Sequence, residues 1–274
     1  MKIIVRIIFI TLSIVFALFF SLLRFYKTNQ ERQKVALNLI KKNSFLKILY
    51  LHFNIFIRNI KFFSSHSQFN EEKKIFKLFK KKGTYLDLGC FHPIRYNNTF
   101  LFFKSGWSGI NIDLNPLSIE LFNVARPNDV NICTAISDKE SVKNLYFYHN
   151  LSPINTLSKK HTLLVKDIFG TNYLQKKKIR TQKLNSLLKK NNIKKIDYFN
   201  IDIEGYELQV LKTVDFDYFD IKVICVEIIT SSKNIKKKEK KIIRFLKKKK
   251  YTFKFKAGIN HVFVRNKRYK GSLI

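Results

Sequence analysis

YFNIDIEGYELQVL, residues 198–211, decides the fold. Tyr198-Phe199-Asn200-Ile201 begins as an apolar strand. Asp202, Glu204 and Glu207 then gather around Gly205, and Leu208 and Leu211 continue at helical spacing. Buried strands do not end on three carboxylates without a reason. In an open α/β sheet the reason is position, because ligands bind beyond the carboxyl ends of the parallel strands.

The same strand-to-helix rhythm runs outward in both directions from about residue 70. Towards the N-terminus it predicts a helix over 71–81, strand 84–88, helix 97–105, strand 109–113, helix 116–125 and strand 130–136. Short extra strands are expected at 144–148 and 178–182, then a helix over 184–191 and the strand 197–201 that enters the opening stretch. Beyond it come a helix over 204–214, a long buried strand 221–228, a lysine-rich helix ending near 249, and strands 251–256 and 261–265. The alternation implies an α/β class: a doubly wound, mostly parallel Rossmann-like sheet closed by an antiparallel C-terminal edge.

The chain has 274 residues and 46% hydrophobic content, which excludes a disordered polymer. Its net charge of +34 first suggests nucleic acid or an anionic membrane. Only ten of the 53 basic residues are Arg, however. Phosphate and base readers favour the planar guanidinium, so the lysines read as a solvated coat and a nucleic-acid partner is disfavoured. Cys90, Cys133 and Cys225 lie in or beside apolar runs without CxxC spacing, which argues against a disulfide framework or a zinc site. Residues 7–23, IIFITLSIVFALFFSLL, carry no charge, are followed by no cleavage site, and are long enough for an uncleaved N-terminal membrane helix. The basic flanks lean towards a cytoplasmic catalytic domain. Residues 43–63 are apolar but broken by Lys47, His52, Arg58 and Lys61; they suit either a helix at the membrane interface or one covering the core. The resulting division is an anchor at 1–27, a juxtamembrane helical region and linker at 28–70, and a catalytic domain at 71–274.

Each major strand ends at or next to an acid: Asp87 before Gly89-Cys90, then Asp113, Ser137-Asp138, Asp202-Ile203-Glu204 and Glu227. The first turn has one glycine where the backbone passes a ligand, but neither a GxGxxG fingerprint nor a Walker loop. Asp113 lies 24 positions beyond Gly89, where a carboxylate accepts hydrogen bonds from ribose hydroxyls. A nucleoside lacking a phosphate cradle points to S-adenosylmethionine rather than NAD or ATP.

Together, DLGCFHPIRYNNTFLFFKSGWSGINIDLNP (87–116), RPNDVN (126–131), AISD (135–138) and NIDIEGYELQVLK (200–212) resemble the FkbM-type methyltransferase family over roughly residues 83–230. The resemblance implies a class I, Rossmann-like, S-adenosylmethionine-dependent O-methyltransferase acting on polyketide or sugar hydroxyls, including those of surface glycans. It also implies Asp87, Gly89 and Cys90 in the first cofactor loop, Asp113 at the ribose, Ser137 and Asp138 beside the adenine, and Asp202 and Glu204 next to the transferring methyl group.

Asp202 and Glu204 are thus the expected catalytic carboxylates, since an alcohol needs a base or a metal to attack at neutral pH. The competing readings are an N-cap for Asp202 and helix N-terminal acids for Glu204 and Glu207. His92, Asn98, Thr99, Asn155 and Glu227 are candidate acceptor contacts. Against that role, His92 also reads as structural, Asn98-Thr99 as a helix cap and Glu227 as a lysine partner. A divalent cation held by the carboxylates stays open. The function expected is methylation of a hydroxyl in a glycan or lipid-linked saccharide. The alternatives are an RNA methyltransferase using the basic surface, and a non-catalytic basic membrane adaptor.

Overall fold

A computed structural model describes residues 43–57, 66–150, 152–170, 175–229 and 235–266, with Thr11, Leu12 and Ile14 ahead of them. Apart from those three, the anticipated membrane segment lies outside the described residues, and so do residues 58–65. Among the described residues no helix is long and apolar enough to cross a membrane.

Helix α1 (Ser44–His52) starts where Asn43 Oδ1 accepts from the backbone N–H groups of Phe45 and Leu46, and runs on into a π-helical turn, Phe53–Ile57. After it come α2 (Glu71–Phe76), β1 (Thr84–Leu88), α3 (Phe100–Lys104), β2 (Ser108–Asp113), α4 (Pro116–Ala125), β3 (Val130–Cys133), β4 (Ala135–Ser137) and β5 (Ser141–Phe147). The second half holds α5 (Lys159–Phe169), β6 (Gln175–Lys183), α6 (Leu184–Lys190), β7 (Lys195–Ile201), α7 (Glu207–Leu211), β8 (Asp220–Glu227), α8 (Ile235–Lys248), β9 (Tyr251–Ala257) and β10 (Asn260–Arg265).

Seven strands form the main sheet in the order β3-β2-β1-β7-β8-β10-β9. The first five are parallel, and β10 runs antiparallel to β8 and β9. The topology reverses between β1 and β7, which is the switch point where a doubly wound sheet opens a crevice. Alternation along the strands makes two apolar faces. One joins Leu86, Leu88, Ile110, Ile112, Phe199, Ile201, Ile224 and Val226 with Leu187 of α6 and with Ile242 and Leu246 of α8. The other joins Tyr85, Tyr198, Val223, Cys225 and Val262 with Ile75, Phe102 and Trp107.

The second face also carries polar side chains, which are tied into one buried network. Asp87 accepts from Asn97 Nδ2, Thr99 Oγ1 and Asn200 Nδ2 at 3.1, 2.7 and 2.9 Å. The fully buried Arg126 donates to Tyr85 Oη, Thr99 Oγ1, Asn97 Oδ1 and the Pro93 carbonyl. Tyr85 Oη in turn donates to Asp129, whose carboxylate also takes the Gly109 N–H and Asn111. This network fastens the loop after β1 to the sheet.

Several elements depart from the sequence expectation. Helix α7 starts at Glu207 instead of 204, because Glu204 (φ 54°) and Gly205 (φ 100°) are left-handed. The expected strand 130–136 breaks at Thr134, whose N–H bonds to the Asp113 carbonyl at 2.9 Å. Its second half, β4, leaves the main sheet for a separate three-stranded one, β4-β6-β5. The helix α5, which caps this small sheet's loop, was not anticipated. Its sequence KKHTLLVKDIF hides a weak apolar stripe among lysines, and Ser158 supplies the cap. Residues 44–57 take the core-covering alternative: Leu49, Tyr50, Leu51 and Ile55 pack on Leu117 and Leu121 of α4, and Lys47 pairs with Glu120 at 2.6 Å.

Gly89 ends β1 at φ 82°, and a Cβ there would lie 1.7 Å from the Asp202 carbonyl oxygen. Gly89→Ala is therefore expected to cost more than about 3 kcal/mol, combining left-handed strain with a backbone clash that no side chain can relieve. Urea unfolding followed by circular dichroism measures this, with the free energy of the variant falling by at least that amount.

Candidate functional site

At the switch point a cavity opens beyond the carboxyl ends of β1, β2, β7 and β8. Its walls come from Gly89 and Phe91 after β1, Ile112 to Leu114 at the end of β2, and Thr134 to Ile136 in the crossing to β4. Ser152, Pro153, Asn155 and Leu157 close it from the loop after β5; Asp202 to Glu204, Tyr206 and Glu227 form its floor. Every charged group in this lining is a carboxylate: Asp113, Asp202, Glu204 and Glu227. That is a sharp local inversion in a chain carrying +34.

Asp113 is fixed by two backbone donors. Its Oδ2 accepts from the Phe91 N–H and its Oδ1 from the Asn115 N–H, both at 2.8 Å. Burial nevertheless pushes its carboxyl up to about 6. The two hydrogen bonds tie the end of β2 to the loop after β1, so the acid stands at a fixed place on the cavity wall.

Asp202, Glu204 and Glu227 converge from two strand ends, each offering an oxygen within 4.8 Å of the others. Burial raises the Asp202 carboxyl well above the usual carboxylate range, and the Glu204 charge raises it further. Glu227 is raised well above its usual range by burial and then by Asp202. Asp202 and Glu227 hydrogen-bond to each other, and among the described residues no other group reaches the buried Asp202 Oδ1 and Glu227 Oε2. Glu204 sits on the left-handed turn, where Thr156 Oγ1 donates to its carbonyl at 2.7 Å. His161 of α5, 4% exposed, brings Nε2 to 2.6 Å from Glu204 Oε2. Gly205 leaves room for that imidazole, since a Cβ there would meet the His161 Cβ at 3.1 Å. Glu207 is separate from this cluster: it accepts the Gly205 N–H at 2.7 Å and pairs with Lys238 at 3.0 Å.

Of the residues singled out in the sequence, Gly89, Asp113, Asn155, Asp202, Glu204 and Glu227 meet at this cavity. The others do not line it. Asp87 is held in the buried network with Asn97, Thr99 and Asn200. Cys90 packs on Ile119 and Phe122. His92 Nδ1 accepts the N–H groups of Ile94 and Arg95, a structural turn. Asn98 donates to Asn200, and Thr99 bridges Asp87 and Arg126. Ser137 bonds to Asp138, which is paired with Lys143 at 2.7 Å; that lysine also donates to Tyr206 Oη and so braces one cavity residue from behind. Asn155 holds its own loop, accepting from the Tyr148 N–H and donating to the His149 carbonyl. The helix-dipole explanation of Glu204 fails, because α7 begins three residues later. His161 is the member that sequence reading missed. It stands more than 40 residues before Glu204 and belongs to no spacing pattern.

The acid cluster weakens the fold at neutral pH. A carboxyl whose folded pKa is raised stabilises the protein fully below its unfolded value, and that contribution disappears as pH rises through the folded value. Glu227→Gln removes one charge from a crowded, dry site while preserving its shape. The variant is expected to melt above the wild type at pH 8, by about 1–2 kcal/mol in free energy, with the difference vanishing near pH 4. Calorimetric melting across that range measures it.

No curated protein and no solved structure matches the chain. The Methyltransferase FkbM domain matches residues 87–255, from the first strand's carboxyl end to the closing antiparallel strands and across the whole acidic cavity. With more than half of its length covered by that match, the chain belongs to the FkbM methyltransferase family.

Proposed function

We propose that the protein is an S-adenosylmethionine-dependent O-methyltransferase that modifies a sugar hydroxyl in a glycan or lipid-linked saccharide. The observation that carries this reading is the purely acidic charge of the cavity, with a glycine at the point of closest backbone approach. Such a lining repels phosphates, so it disfavours dinucleotides and RNA strands, and it favours a cationic cofactor beside a neutral acceptor.

The residues present fit the cofactor. Asp113 would hold the ribose, each of its carboxylate oxygens keeping a lone pair beyond its backbone bond. Ile112, Leu114 and Ile136 give apolar surface for a base, and Gly89 keeps the first turn open. S-adenosylmethionine supplies an electrophilic methyl group on a positively charged sulfur. The chain's part is to align the acceptor oxygen with that methyl group and to take its proton. Glu204 is the base in this reading, with its Oε2 2.6 Å from His161 Nε2. Asp202 and Glu227, kept towards their protonated forms by burial, orient the acceptor. The anchor at 7–23 would hold this site beside lipid-linked acceptors, with the catalytic domain in the cytoplasm.

Calorimetric titration of S-adenosylhomocysteine into the full chain tests the cofactor site. One saturable site is expected, weakened at least tenfold by Asp113→Ala; undiminished affinity in the variant would remove Asp113 from the site. Incubation with labelled S-adenosylmethionine and saccharide acceptors should label the sugar, and Glu204→Gln should lower kcat by about two orders of magnitude.

A further inference from the structure

The turn after β7 presents Asp202 and Glu204, and β8 delivers a third carboxyl, Glu227, from a different part of the chain. Glu227 is 5% exposed and hydrogen-bonds to Asp202, and no other group reaches its buried Oε2. Among the described residues, the basic side chain within 4 Å of this group is the His161 imidazole, beside Glu204; Lys238 pairs with Glu207 instead. Three carboxyls in a dry crevice therefore face one imidazole. A structural cluster of this kind would be expected to recruit a lysine, and this chain has an abundance of them on its surface.

We infer that Asp202, Glu204 and Glu227 form a binding site for a hard divalent cation, Mg²⁺, Mn²⁺ or Ca²⁺, which in turn holds an oxygen of the acceptor. Opposite ligands of such an ion, with bonds of roughly 2.0–2.6 Å, stand about 4–5 Å apart. Donor oxygens within 4.8 Å of one another thus belong to one coordination sphere. An all-oxygen donor set suits hard ions and excludes the preference that zinc shows for sulfur and nitrogen. His161 lies outside the donor set and acts as a positioning residue, holding Glu204 Oε2 at 2.6 Å on its strained turn. Three protein ligands leave the cavity side of the ion open for water or for neighbouring sugar hydroxyls. Only the acceptor contact rests on the methyltransferase reading; the cation site itself does not.

The test uses the full chain freed of metal by a chelator, with Mn²⁺ as probe. Loss of the free-ion electron paramagnetic resonance signal reports binding, and Mg²⁺ and Ca²⁺ are added as competitors. One saturable site per chain is expected, weakened at least tenfold in Glu227→Gln and again in Asp202→Asn. The melting midpoint of each variant shows that it is folded, and the wild-type midpoint at pH 8 should rise with Mn²⁺ while the variants' midpoints do not. A wild type that takes up no ion, or a folded Gln variant that binds as tightly as wild type, overturns the inference. S-adenosylhomocysteine titrated into the same metal-free preparation separates the two readings. Cofactor binding without any cation site leaves the methyltransferase and removes this proposal, whereas a cation site without cofactor binding does the reverse.

Discussion

The close crossing of two strand ends, at Gly89 and Asp202, is the constraint on which the rest of the structure depends. The Gly89 N–H reaches the Ile112 carbonyl at 2.8 Å, and the Asp202 N–H reaches the Leu88 carbonyl at 2.9 Å. The three central strands are thereby locked together at the point where their chains must diverge. Gly89 has to be glycine because a Cβ would occupy the place of the Asp202 carbonyl. Once the crossing is made, the directions of the two exits follow. One loop rises over the second face towards Arg126, and the other folds back through the left-handed turn that carries Glu204.

The two exits are stabilised by opposite chemistry. Under the first loop, Arg126 finds hydrogen-bond acceptors on four residues, so a buried charge is compensated in full view of Asp87. Removing one partner from such a network typically costs about 3–5 kcal/mol. Beneath the second exit Asp202 and Glu227 lean on each other, whereas Asp87 is surrounded by neutral donors; burial raises the carboxyls at both exits.

The order of strands and helices was legible because apolar periodicity survives the lysine-rich composition wherever both sheet faces are buried. The run IKVICVEI needs no other signal. Legibility failed where the local pattern was ambiguous. VNICTAI reads as one strand, yet it pairs with β2 only to Cys133 and with β6 from Ala135, so it divides between two sheets at Thr134. The site was legible to the extent that strand ends face one crevice, which gathered Gly89, Asp113, Asp202, Glu204 and Glu227. Period-two alternation also explains the errors: Asp87 sits one residue before the strand's end, where its side chain points to the face that holds the network rather than to the cavity. His161 was invisible because its partner, Glu204, comes from a distant part of the chain, and no spacing encodes that meeting.

The acidic cavity and the basic coat are two consequences of one electrostatic arrangement. A surface dense in lysine lowers the free energy of the carboxylates inside only weakly, since exposed charges beyond about 8–10 Å are screened by salt. The raised carboxyl pKa values inside the cavity come first from burial and then from neighbouring acids. Glu204 is held in a left-handed conformation that costs on the order of 1–2 kcal/mol and is pinned from both sides by Thr156 and His161. Strain, burial and repulsion in one turn work against folding.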